Sequence, residues 1–328
     1  MSERQSSIVL VLEKPSQAHK LAPLLATRWL GQRVFAIYTL YLGLYEFRYP
    51  RGLTFSDLPY TRDPVWKARK FDVTPPVLVV ELVNGDVRKT DLEPAQVLAT
   101  AETIWYGCDP DASGANAYQV LLTQCLGAES AALERPALFL YALDTASLQS
   151  ALDAPSSTAD PLFLTWLNKG EAKRFFDFNY NVNSLSLFGE CLRDVGVDTT
   201  GYGLSKYSLQ LLYAFKGASP ITEVQVLRLM DEWPGTGRYG LSGLGSPASR
   251  APILLGLIDV GLLERSEKLI SLSARGHDFL GLLHPDCQDL DLPARLAEWQ
   301  SQWPESRGKI ERYLRTFFGK QLRYRSAL

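Results

Sequence analysis

Two apolar runs in this chain end abruptly in acid. Residues 8–12 (IVLVL) run into Glu13, and residues 103–108 (TIWYGC) run into Asp109 and Asp111. Each reads as a buried strand. Between them, Pro15 and Ser16 open a predicted helix over 17–29, with Leu21, Leu24 and Leu25 on one face. Residues 34–49 are apolar and aromatic and predict one or two buried strands; 77–82 predict another. A predicted helix over 92–101 leads into the strand at 103, and a second follows over 115–126. Residues 137–141 predict the last strand before the sequence turns polar (APSSTAD). This alternation of strand and helix predicts an α/β domain with a mostly parallel sheet over 1–150.

The second half, 151–328, reads as mainly helical. A helix is predicted through 162–188, which contains an aromatic run, FFDFNY, open to a core or a base-stacking reading. A helix over 221–233 is followed by Ser246-Pro247, an N-cap with Pro at the first helical position. Ile253, Leu254, Leu257, Ile258 and Leu262 form the apolar face, Gly261 ends the helix, and 262–272 suit a hairpin. This order predicts a winged-helix-like unit over about 220–290. The tail, about 305–328, interleaves Arg312, Arg315 and other bases with aromatics. It suits either a solvated amphipathic helix or a strand-binding surface.

The chemistry lies at the two acidic strand ends. In a parallel α/β sheet the strand ends share a ligand-binding crevice. Glu13, Asp109 and Asp111 converging there would suit Mg²⁺ and phosphate chemistry. Pro110 biases Asp109 towards extended geometry. Gly114 is expected to allow a sharp turn, and the following helix N-terminus to face a phosphate. The bland alternatives are a solvated loop acid at Glu13, a solvated Lys14, and a DPD turn that merely caps a helix.

The pairing of EKPS after the first strand with DxDxxG after a later one resembles the Toprim domain of type IA DNA topoisomerases. The resemblance implies that Glu13, with Lys14 beside it, is catalytic, and that Asp109, Asp111 and Glu13 hold a metal. Ser113 stands where the family has a third acid, which points to a weakened Mg²⁺ site. Leu42-Gly43-Leu44 keeps the family's Gly but not its following His. Trp66-Lys67 matches the end of a family loop, read from the residues alone as a surface excursion anchored by Trp66. Residues 204–210 (LSKYSLQ) resemble a segment that lines the DNA groove, with Gln210 matching and Ser208 in place of Arg. Residues 243–272 resemble the family's G-x-G-T-P-A-T-R-A block and wing, which implies backbone contacts from Ser246, Ser249 and Arg250.

The family's arch, with its nucleophilic Tyr in a Y-x-R-T-D-S context, has no counterpart here. Gln210 is followed almost at once by the helix expected beyond that insertion, and Tyr213 sits on an apolar helical pattern. Without that Tyr no covalent intermediate holds a broken strand. The resemblance therefore implies a DNA-binding protein for single-stranded or junction DNA, acting with a protein partner and unable to pass strands alone. The alternatives are a Mg²⁺-dependent nuclease, a topoisomerase subunit whose Tyr comes from a partner, and a structural protein with a vestigial site.

Composition adjusts this picture only slightly. A net charge of −2 over 328 residues means that any DNA surface is a local patch. The four cysteines are scattered and there are three histidines, which argues against a zinc site and for a reduced, cytoplasmic protein. The start lacks a signal-peptide apolar region, and no apolar run is long enough to span a membrane.

Overall fold

The computed structural model describes residues 7–71, 75–200 and 202–326. They form two compact units. One comprises Met1–Arg48 and Val65–Glu171, the other Tyr49–Pro64 and Ala172–Leu328.

In the first unit β1 (Ser7–Leu12) is buried along its whole length, as a central strand covered on both faces must be. It leads into α1 (Pro15–Arg28). Next come β2 (Arg33–Tyr38), β3 (Tyr45–Phe47), β4 (Trp66–Ala68), β5 (Val79–Val83) and β6 (Asp86–Lys89). Then follow α2 (Pro94–Thr100), β7 (Thr103–Gly107), α3 (Ala112–Leu126), α4 (Ala128–Ala131), β8 (Pro136–Ala137), α5 (Thr145–Asp153) and β9 (Ser156–Ser157). The main sheet has seven strands in the order β6-β5-β2-β1-β7-β8-β9. Its centre is parallel: β1 pairs with β2 and β7, and β7 with β8. Both edges are antiparallel, β5 and β6 on one side and β9 on the other. The expected last strand over 137–141 is shorter than its apolar run, because only Pro136–Ala137 pair before the chain turns towards α5.

β2 does not run on into β3. Leu40, Tyr41 and Leu42 are all left-handed, with φ of 50°, 55° and 66°. For residues with a Cβ each such conformation costs on the order of 1–2 kcal/mol. Hydrogen bonds from Leu40 N–H to the Glu13 carbonyl (3.1 Å) and from Gly43 N–H to the Leu40 carbonyl (2.7 Å) offset part of this. Leu42 also buries against Ala117 and Val120. A Cβ at Gly43 would lie 2.6 Å from the Leu40 carbonyl oxygen, so the turn needs glycine there.

α6 (Pro161–Asp194) is one continuous helix of 34 residues. Its first part, to Glu171, belongs to the first unit and the remainder to the second. The second unit continues with α7 (Lys206–Ala214), β10 (Ile221–Thr222), α8 (Glu223–Asp231) and α9 (Pro247–Asp259). β11 (Leu263–Ser266), β12 (Leu269–Leu272), α10 (Ala274–Gly281), α11 (Leu292–Ser301) and α12 (Arg307–Arg325) complete it. β11 and β12 form the expected hairpin, and β10 adds to β12 as a third antiparallel strand. The aromatic run of α6 is core: Phe175, Phe176, Phe178 and Tyr180 are buried, with Phe317 and Phe318 of α12 packed against Tyr180.

The first part of the 50–70 loop, expected as a surface excursion, is held by two buried amides of α6. Asn179 accepts from Arg62 N–H (2.7 Å) and donates to the Arg62 carbonyl (2.8 Å). Asn183 does the same for Tyr60, at 2.7 and 2.8 Å. The helical i,i+4 spacing thus reads alternate residues of an extended chain, as a neighbouring strand would. Asn183→Ala should strand the Tyr60 N–H and carbonyl, and we expect a loss of about 2–3 kcal/mol. Urea unfolding measures it; an unchanged midpoint would show the ladder to be dispensable.

Candidate functional site

Parallel pairing of β1 with β7 aligns Leu12 with Gly107, so both strands release their acids at the same end of the sheet. The Glu13 carboxylate accepts the Asp109 N–H at 3.0 Å. The Lys14 ammonium meets Asp109 Oδ2 at 2.8 Å. Asp111 is the N-cap of α3, its Oδ1 accepting from Ser113 N–H and Gly114 N–H, both at 2.8 Å. The structure therefore brings together Glu13, Lys14, Asp109 and Asp111 in one cluster.

Gln17 completes the cluster, and sequence reasoning missed it. Fully buried, it accepts from the Glu13 and Lys14 N–H groups and donates to Asp109 Oδ1 at 2.9 Å. A signal was present: Gln at the third helical position reaching back to the N-cap is a capping-box arrangement. Tyr106 fixes the turn from below, its hydroxyl donating to the Asp109 carbonyl at 2.6 Å. Gly114 serves close approach here and makes no sharp turn. It lies within α3, and a Cβ there would fall 2.1 Å from the Asp109 carbonyl oxygen.

Burial pushes the Glu13 carboxyl up to about 7; the Asp109 N–H opposes this, and the nearby Asp109 and Asp111 carboxylates add to it. Lys14 is shifted upward, chiefly by its hydrogen bond with Asp109. The left-handed turn brings Tyr41 into this environment. Its ring is exposed, and the Lys14 ammonium lies 5.6 Å from the ring centroid. Leu44, where the resemblance places a His, is buried and adds no polar contact.

As arranged, the acids of the cluster are engaged by protein groups rather than grouped around a magnesium site. Both Asp109 oxygens are held, one by Lys14 and one by Gln17. Asp111 is turned onto its own helix cap. Among the described residues no three His, Cys, Asp or Glu side chains group as metal ligands. The same cap occupies the Ser113 and Gly114 N–H groups that the sequence offered to a phosphate.

The other expected contact residues lie in the second unit, and several are committed internally. Gln210 is fully buried, donating to the Cys287 carbonyl (2.9 Å) and accepting from Asp289 N–H (2.6 Å). With both ends of its amide used, it is a core brace and not a nucleic-acid contact. Arg250 is mostly buried and paired with Asp231 at 2.6 Å. That corrects its reading as a phosphate ligand: its side chain is 14% exposed, half as open as that of Lys14, and its guanidinium is turned to Asp231. Ser246 and Ser249 sit at the start of α9 and bond to each other at 3.1 Å. α12 is an integral helix whose Ile310, Leu314, Phe317 and Phe318 are buried in the unit's core. Arg315 bonds Thr61 at 3.0 Å and pairs with Glu311; Arg312 is exposed.

A polar cluster the sequence did not announce lies on α6 and α7. Asp177 pairs with Lys173 at 2.9 Å and with nearly buried Lys206. Burial alone would raise the Asp177 carboxyl, but the two ammonium groups outweigh it and hold it well below the usual carboxylate range.

The fold and site together define an α/β unit with a buried acid, a lysine and two aspartates at the carboxyl end of a parallel sheet core. No family model matches the chain, and no curated protein matches it. Among solved structures 31 chains match. One is full-length topoisomerase I from Thermotoga maritima in a monoclinic crystal form, at 15% identity and a TM-score of 0.38. That match covers 65% of this chain and 32% of the other, so the chain spans about a third of that protein's length. No helix among the described residues is long and apolar enough to cross a membrane.

Glu13 makes a pH prediction with a definite sign. Its folded carboxyl titrates at about 7 against an ordinary 4.5, so the native state holds the proton more tightly. Its cost to stability is absent below 4.5, grows as pH rises, and is complete above 7. Glu13→Gln should remove that slope, gaining about 3 kcal/mol over wild type between pH 4.5 and 8. Urea midpoints of the two proteins across this range measure it; parallel curves would refute the assignment.

Proposed function

We propose that this chain is a DNA-binding protein related to type IA topoisomerases, in which a Toprim-like unit and a winged-helix-like unit bind single-stranded or junction DNA without autonomous strand passage. The observation that carries the reading is the meeting of Glu13, Lys14, Asp109 and Asp111 at the ends of β1 and β7. These are the positions that the EKPS and DxDxxG motifs select. The helix–hairpin order of α9, β11 and β12, with β10 beside them, supports the winged-helix part. Tyr213 supports the absence of a nucleophile in the expected segment, since it is buried with its hydroxyl directed to the His284 carbonyl.

In this reading Lys14 supplies the charge that meets a backbone phosphate, releasing Asp109 as it does so. Ser246, Ser249 and Arg312 remain the accessible backbone contacts of the second unit. A protein partner fits a chain without its own nucleophile. The enzymatic alternative, a Toprim nuclease, is favoured by one feature: a Glu13 carboxyl that holds its proton near neutral pH can act as a general acid.

Labelled single-stranded and four-way-junction DNA, with Mg²⁺ or with chelator, separates these readings. Binding without cleavage, falling steeply with salt, is the expected result. Lys14→Gln should flatten the plot of log affinity against log salt by about 0.7–1. Cleavage lost in Asp111→Asn, which keeps the helix cap but removes the charge, would install the nuclease reading. No binding to either DNA would overturn both.

A further inference from the structure

β8 pairs in parallel with β7, Tyr106 opposite Ala137, so the chain after β8 emerges at the end of the sheet that carries Asp109. What emerges there is aromatic. Phe139 stands edge-on to Trp166 of α6, ring centroids 5.0 Å apart at 73°. Tyr141 meets the same indole at 6.4 Å and 72°, and is 67% exposed. Trp166 is partly buried and is braced from behind, so Tyr141 presents a supported ring to solvent.

The helix that carries Trp166 packs against the site. One turn beyond Trp166, Gly170 packs on the first turn of α3, where a Cβ would lie 2.5 Å from the Ala112 carbonyl oxygen. Ala112 directly follows Asp111, the cap of that helix. Beside Tyr141 and Phe139 runs an open groove of about 540 Å³ floored by small side chains, including Ser147, Ser150 and Ser156. Lys169, exposed and three residues after Trp166, lies on the adjoining surface of the same helix.

We propose that Tyr141, backed by Trp166 and flanked by Lys169, is a stacking platform for an unpaired base of a single DNA strand whose backbone passes the Lys14 site. This rests on the DNA-binding reading and deepens it. An exposed ring stacks on any base, and a lysine alongside neutralises the adjoining phosphate; this combination is how sequence-tolerant single-strand sites work. Duplex DNA, with its bases already stacked, gains nothing from such a ring, so the platform selects unpaired strands.

The test compares oligothymidylate with an abasic oligomer of equal length by fluorescence anisotropy. Wild type should bind oligothymidylate more tightly. Tyr141→Ala should weaken that binding about tenfold or more and leave the abasic oligomer unchanged, while Tyr141→Phe should retain affinity. Lys169→Gln should weaken both oligomers and lower the salt slope. If wild type binds the two oligomers equally, or Tyr141→Ala keeps the wild-type ratio, the platform is refuted and backbone binding stands. Binding to neither oligomer refutes the platform and the DNA-binding reading together.

Discussion

The acceptance of the Asp109 N–H by the Glu13 carboxylate joins two distant parts of the chain, and the site depends on it. It places a carboxyl group in an apolar strand end, where an isolated charge is costly. Gln17, Lys14 and Tyr106 then settle around the same turn, each satisfying a group the first bond leaves exposed to the interior. The result is a polar network with its own internal cation. Such networks hold a unique geometry when complete and are costly when broken.

The surrounding backbone accommodates this network at some expense. Three consecutive left-handed residues follow β2, and the turn closes on the carbonyl of Glu13 itself. Strain of this kind persists only where the structure around it over-determines the conformation, and it is concentrated at functional sites. Here it delivers an exposed tyrosine next to Lys14. Gly43 and Gly114 are both needed because a carbonyl oxygen sits where their Cβ would be. The glycines of the motifs are thus packing devices as much as turn devices.

The second unit is built on different physics. Its centre is an aromatic and aliphatic core around α6, α7 and α12, with polar side chains used as internal braces. Asn179 and Asn183 replace a missing β-neighbour for residues 60 and 62. Gln210 clamps the segment before α11, and Asp177 balances two lysines. Side chains that look like ligands in a linear reading are spent on holding the unit together. Of the positions argued for nucleic-acid contact, Ser246, Ser249 and Arg312 and, in the first unit, Lys14, Tyr141 and Lys169 reach solvent.

The sequence by itself determined the alternation of strands and helices in the first unit, the acids at two strand ends, and the α9–β11–β12 order. Local propensity and hydrophobic period decide those features. It also carried the motif pairing that points to the proposed family. Only the tertiary structure decided which polar groups face solvent. Gln17 was legible only as a helix-cap partner and proved central; Gln210 matched a motif and proved buried; Arg250 found Asp231. The left-handed turn at 40–42 has no local signature, since its cost is met by contacts from residues far along the chain. Carboxylates are countable in a sequence, but whether their oxygens are already hydrogen-bonded depends on what the fold packs beside them.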